Sequence, residues 1–128
     1  VVVEGANGTI SYYFVQPAFS IERSLVDEEN STVNKGDELF KCKYTYTVTA
    51  INNGDNDKEI YVAMGRYDKD GKLKNFVAAK DTIAKNISDF EKQVSIDLTN
   101  ETLGVDDYIA VFTWDANMKP YTNSFKTK

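Results

Sequence analysis

Leu39–Ile51 reads LFKCKYTYTVTAI, and its alternation decides the fold class. The even positions Phe40, Cys42, Tyr44, Tyr46, Val48 and Ala50 are apolar or aromatic, whereas Lys41, Lys43, Thr45, Thr47 and Thr49 between them are polar. A two-residue period belongs to an extended chain, whose successive side chains point to opposite faces. The stretch is therefore a long strand with one face in a core and one in water. Threonine suits the wet face because its branched Cβ fits the pleated backbone. The same pattern puts Tyr44 and Tyr46 in the core and buries Cys42.

Outward from this strand, Asn52-Asn53-Gly54-Asp55-Asn56-Asp57 is rich in residues that tolerate turn dihedrals. Glu59–Tyr67 (EIYVAMGRY) follows as a second strand, closed by the tight hairpin turn Asp68-Lys69-Asp70-Gly71. Lys72–Lys80 should then pair back antiparallel. A helix competes over residues 74–87, because Phe76, Ala79, Ile83 and Ile87 also fit a helical stripe; the preceding hairpin turn favours the strand. Phe90–Leu98 alternates again. Tyr108–Trp114 (YIAVFTW) is apolar on both faces apart from Thr113, as expected of a strand central to the fold. Ile10–Phe19 reads as an opening strand interrupted by Pro17, which suits an edge or a bulge. Asp27–Asp37 reads as a loop, and Pro120 starts a last short segment through Phe125. Six or seven strands punctuated by turns make an all-β, antiparallel sandwich.

The 128 residues suit one module, spanning 1–128, in which residues 1–37 form an edge strand plus loop or a linker. Hydrophobic residues make up 41% and charged residues 27%, a globular balance. The formal charge of −5 repels phosphate backbones and anionic lipid, so neither nucleic acid nor membrane is an expected partner. Without histidine there is no Ser-His-Asp or Cys-His relay, and one cysteine cannot complete a zinc site. The opening VVVEGANG lacks a basic leader before an apolar core and reads as a mature fragment or an excised module.

Three stretches carry a resemblance: Thr47-Val48-Thr49-Ala50-Ile51-Asn52-Asn53, the hairpin Gly65–Leu73 (GRYDKDGKL), and Tyr108–Asp115 followed by Met118-Lys119-Pro120. Together they resemble accessory β-sandwich modules of secreted or cell-wall-attached Gram-positive bacterial proteins, often found beside carbohydrate-active enzymes. The resemblance spans roughly residues 38 to 125. It implies an immunoglobulin- or fibronectin-III-like sandwich of about seven strands with a non-catalytic, structural or interaction role at the cell surface. Polysaccharide or neighbouring domains of a parent protein are the partners it suggests, with the module itself monomeric. Arg66 stands where such modules carry an aliphatic residue, which suggests a wetter strand face.

Candidate chemistry is thin. Asp55 and Asp57, Asp68 and Asp70, and Asp106 and Asp107 could pair for glycoside hydrolysis, but each pair lies in an expected turn, where aspartate bonds its own backbone. The same Asp55, Asp57, Asp68 and Asp70 offer oxygen ligands for calcium in an irregular site. The helix-loop-helix calcium pattern fails, because aligning Gly71 with its sixth position puts Arg66 at its first. No other cofactor is indicated. Aromatic residues make up 12%, and sugars stack on exposed rings, so Tyr12, Tyr13, Trp114 and Tyr121, with Asp115 and Asn117, are candidates for a carbohydrate platform. Of these, Trp114 closes an apolar strand and is expected in the core, leaving Tyr13 or Tyr121 as the exposed ring.

Overall fold

A computed structural model of the protein describes residues 2–4, 10–12 and 18–128. Its elements are β1 (Val2–Glu4), β2 (Ile10–Tyr12), β3 (Phe19–Val26), β4 (Lys43–Asn52), β5 (Lys58–Tyr67), β6 (Leu73–Ile83), β7 (Ile87–Asp97), β8 (Tyr108–Trp114) and β9 (Phe125–Lys126). The described residues contain no helix. β1 and β2 pair with each other. The other seven strands form two antiparallel sheets, β3-β4-β7 and β6-β5-β8-β9. The chain changes sheet between β4 and β5, between β6 and β7, and between β7 and β8, so the two sheets of the sandwich are interleaved along the sequence.

Inward side chains from both sheets make one core. β4 contributes Tyr44, Tyr46, Val48 and Ala50; β5 contributes Ile60, Val62 and Met64; β8 contributes Ile109 and Val111. Thr113, the polar exception in β8, is buried because its hydroxyl meets Tyr46 Oη at 2.7 Å across the core. Asn52 ends β4 fully buried. Its amide donates to the carbonyls of Asn56 and Ile83, at 2.9 and 3.2 Å, while its Oδ1 accepts from Gly54 N–H at 3.0 Å. One side chain thus ties the β4–β5 turn to the end of β6.

Several boundaries differ from the sequence reading. The alternation of residues 39–51 starts too early, since β4 begins at Lys43, Phe40 is 65% exposed and Cys42 is half-buried. The chain bends there, with Phe40 N–H donating to Tyr44 Oη at 2.9 Å and Cys42 N–H to Phe40 O at 2.9 Å. Residues 74–87 are not a helix. β6 pairs with β5 from Leu73 to Ile83, and a turn precedes β7. The helical spacing is coincidental, as Phe76 is exposed on the outer face while Ala79 packs against the core from the inner one. The expected opening strand over residues 10–19 divides into β2 and the start of β3, and Pro17 lies outside the described residues. β3 hides from a periodicity reading because Arg23 occupies an inward position and reaches the Thr122 hydroxyl at 3.1 Å and the Asn123 carbonyl.

Candidate functional site

Alternation in β5 and β8 sends half of each strand outward, and those halves are aromatic. From β5 come Tyr61, Ala63, Gly65 and Tyr67; from β8 come Tyr108, Ala110, Phe112 and Trp114. Register sets Tyr61 beside Trp114, Ala63 beside Phe112, Gly65 beside Ala110 and Tyr67 beside Tyr108. β6 adds Phe76, 51% exposed and paired with Gly65. Rings therefore cluster at both ends of a band of small residues. Phe112 and Trp114 lie nearly parallel with centroids 5.0 Å apart, and Tyr67 and Tyr108 do so at 5.4 Å. Such offset stacking is the arrangement that the ring quadrupole favours. Gly65 lets Tyr67 and Leu73 pack close: a Cβ there would stand 3.0 Å from Tyr67 Cε2 and 3.1 Å from Leu73 Cδ1, so both side chains would have to shift slightly.

Beyond the β8–β9 pairing, where Pro120 bridges Trp114 and Tyr121 N–H donates to Thr113 O at 2.9 Å, a cavity of about 370 Å³ is lined by Phe112, Thr113, Trp114, Pro120, Thr122, Asn123 and Ser124. Thr122, Asn123 and Ser124 contribute to its lining, with the Thr122 hydroxyl and the Asn123 carbonyl accepting from Arg23. The cavity thus combines aromatic and hydroxyl- or amide-bearing residues in its lining.

The residues singled out from sequence do not assemble into one site. Trp114 is on the outer face and half-buried, not in the core. β8 is apolar on both sides because one side fills the core and the other carries this aromatic face. Tyr121 is not a free ring, since it packs against Phe19 at 5.1 Å and its hydroxyl donates to Glu59 O at 2.8 Å. Burial raises its phenol pKa above the ordinary value, with the carboxylates of Asp115 and Glu59 adding to the rise. Tyr12 ends β2, and Tyr13 lies outside the described residues.

Asp115 and Asn117 belong to a turn: Asp115 Oδ1 accepts from the N–H groups of Asn117 and Lys119 at 2.8 and 2.9 Å. Asp68 Oδ1 does the same for Asp70 and Lys72, at 2.9 and 3.0 Å, and Asp27 Oδ1 for Glu29 and Ser31, both at 2.9 Å. These backbone donors, that of Lys72 foremost, hold the Asp68 carboxyl below its ordinary pKa. Its ionised oxygens are therefore engaged in shaping the hairpin. Asp57 Oδ1 accepts from Lys85 N–H at 2.9 Å. The two calcium candidates sit at opposite ends of the ten-residue β5, on the order of 30 Å apart, and cannot share an ion. Among the described residues no three acidic or thiol side chains gather into a metal-holding group.

Arg66 does not wet its face of β5. It is 4% exposed, and its guanidinium meets Asp107 Oδ2 at 2.6 Å, Glu101 Oε1 at 3.2 Å and Asn75 Oδ1 at 2.6 Å. Asp107 Oδ2 also accepts from Gly104 N–H at 3.0 Å. The pair Asp106 and Asp107 is thus split, with Asp107 committed to a buried ion pair.

Sequence reasoning missed Tyr61, Tyr67, Phe76, Tyr108 and Phe112 as a group. The legible trace was aromatic positions recurring in two strand patterns, Glu59–Tyr67 and Tyr108–Trp114; their cross-strand register was not legible. Compared with known proteins, the chain matches no family model, no curated protein and no solved structure.

Proposed function

We propose that this chain is a non-catalytic β-sandwich module of a larger secreted or surface-attached protein, acting by spacing and by surface recognition. The observation that carries the reading is the outer face of β6-β5-β8-β9. Exposed Phe76 and half-buried Tyr61, Tyr67, Phe112 and Trp114 share one outward sheet surface, with Tyr108 buried at its end, and such a cluster of apolar rings is the kind of patch that marks an interaction site. The engagement of Asp68 and Asp115 within their own turns supports the non-catalytic part, because neither carboxylate is poised over a cleft.

A second reading makes the ligand a carbohydrate. The stacked Phe112 and Trp114 beside the groove at Thr122, Asn123 and Ser124 favour it. The negative face of an aromatic ring attracts the polarised C–H groups of a pyranose, while neighbouring amide and hydroxyl groups reach its hydroxyls. Affinity gel electrophoresis against plant and bacterial cell-wall polysaccharides, with and without calcium, tests both readings. Retardation on a polymer, abolished in Trp114→Ala, is expected if the ligand is a carbohydrate. Absence of retardation on every polymer removes that reading and leaves the spacer role. Release of reducing ends from any polymer, lost in Asp68→Asn or Asp115→Asn, overturns the non-catalytic assignment.

A further inference from the structure

We infer that the free edge of β6 pairs antiparallel with β6 of a second copy of this chain, joining two four-stranded sheets into one. Among the described residues β6 is outermost in its sheet and pairs only with β5. The other edge of a strand presents main-chain N–H and C=O groups that only water or another strand can satisfy. Short strands, bulges and covering loops blunt such edges. β9, at the far side of the same sheet, is blunted by having two residues. β6 has eleven and no proline. A register shift at Lys74 and the Asp81 carboxylate, which takes the Thr82 N–H at 2.7 Å, bound its regular stretch, Asn75–Asp81. Ala78 is the midpoint of that stretch. Apolar side chains stand open along it: Phe76 is 51% exposed, and Ala78 is exposed as well.

Side chains select the register. A two-fold axis normal to the sheet sets outward residues against outward ones and inward against inward. With the axis at Ala78, Phe76 faces Lys80, Val77 faces Ala79 and neutral Asn75 faces Asp81, each pair occurring twice. The lysine stem and ammonium suit a ring, and two small apolar residues meet on the inner side. An axis at Val77 instead sets Lys74 against Lys80 and Leu73 against Asp81. An axis at Ala79 sets Val77 against Asp81. Like charges, or a carboxylate on an aliphatic chain, disfavour both alternatives. The charges of β6 do not hold two copies apart, because each is already paired within its own chain. Lys80 meets Glu59 at 3.4 Å, and Asp81 meets Lys92 at 3.4 Å. The stretch is about 24 Å long and one sheet edge about 10 Å thick, so pairing covers roughly 240 Å² per copy. A stable dimer covers ~800 Å² per partner, so this association is weak and concentration-dependent. It departs from the monomeric module that the resemblance implies, and it stands independently of the carbohydrate reading.

Sedimentation velocity and amide hydrogen exchange of the whole chain, over about 5 to 500 μM, test the inference. The apparent mass should climb from 14.4 kDa toward twice that value, and the amides of Asn75–Asp81 should exchange more slowly at high concentration. Phe76→Lys sets a lysine against Lys80 of the second copy and should weaken association about tenfold. Adding Lys80→Glu turns that repulsion into attraction and should restore association to within about threefold of the parent. Both positions are exposed, so the variants report on pairing without disturbing the core. A chain that stays monomeric at every concentration would overturn the inference. Association that survives Phe76→Lys unchanged would overturn it by placing the contact on another surface. A double variant that stays dissociated would overturn it by removing the register on which it rests.

Discussion

Arg66 shows how a residue with the wrong sequence signal finds a place. It occupies an inward position of β5 in line with Ile60, Val62 and Met64, where a charge without a partner would cost several kcal/mol. Asp107 neutralises it at 2.6 Å, and Asn75, Glu101 and the Thr102 carbonyl take up its remaining donors. Removing one partner leaves the other buried and bare. Asp107→Ala should destabilise the fold by about 3–5 kcal/mol, whereas the pair replacement Arg66→Met with Asp107→Leu should recover most of that loss. Urea unfolding of the three proteins checks it, and a single variant as stable as the parent would refute the account. The departure at Arg66 was legible in the sequence. Its resolution was not, because Asp107 lies 41 residues away and reaches it only across the β5–β8 pairing.

At the scale of elements, three loops share one construction. Asp27, Asp68 and Asp115 each accept two backbone N–H groups, and the residue three places on has positive φ: Asn30 at 62°, Gly71 at 80° and Met118 at 63°. Glycine and asparagine adopt that region readily, while methionine carries a Cβ that crowds the following carbonyl. Met118→Gly should therefore stabilise the protein by about 1 kcal/mol, seen as a higher Tm, with the aromatic face unaltered. A lower Tm would mean that the exposed Met118 side chain makes contacts that outweigh the backbone strain. Of the three turns, only Asp68–Gly71 announced itself by its glycine. β6 shows the opposite limit. Phe76, Ala79, Ile83 and Ile87 satisfy a helical stripe and a strand equally, and pairing with β5 chose between them.

Over the whole molecule, two sheets with unlike solvent faces are locked through their shared interior. The Tyr46–Thr113 hydrogen bond is a fully buried polar tie between them. Tyr46→Phe leaves the Thr113 hydroxyl without its partner and should cost about 1–3 kcal/mol. Adding Thr113→Val removes the orphan and should restore much of the stability, so a double-mutant cycle in chemical denaturation will show strong coupling. Additive losses would mean that water or another group satisfies Thr113 in the single variant.

The sequence by itself determined the all-β class, the long alternating strand, the turns around Asn52–Asp57 and Asp68–Gly71, and the exclusion of histidine chemistry. Each of these follows from local periodicity or composition. Tertiary structure alone decided that Trp114 faces outward, that Tyr121 is pinned to Glu59, and that lysines from β6 and the C-terminal residues meet rings from β5 and β8 on one surface. The reason is physical. Alternation says that a strand has two faces, but only pairing register and the stacking of one sheet on the other determine which face is covered and which side chains become neighbours.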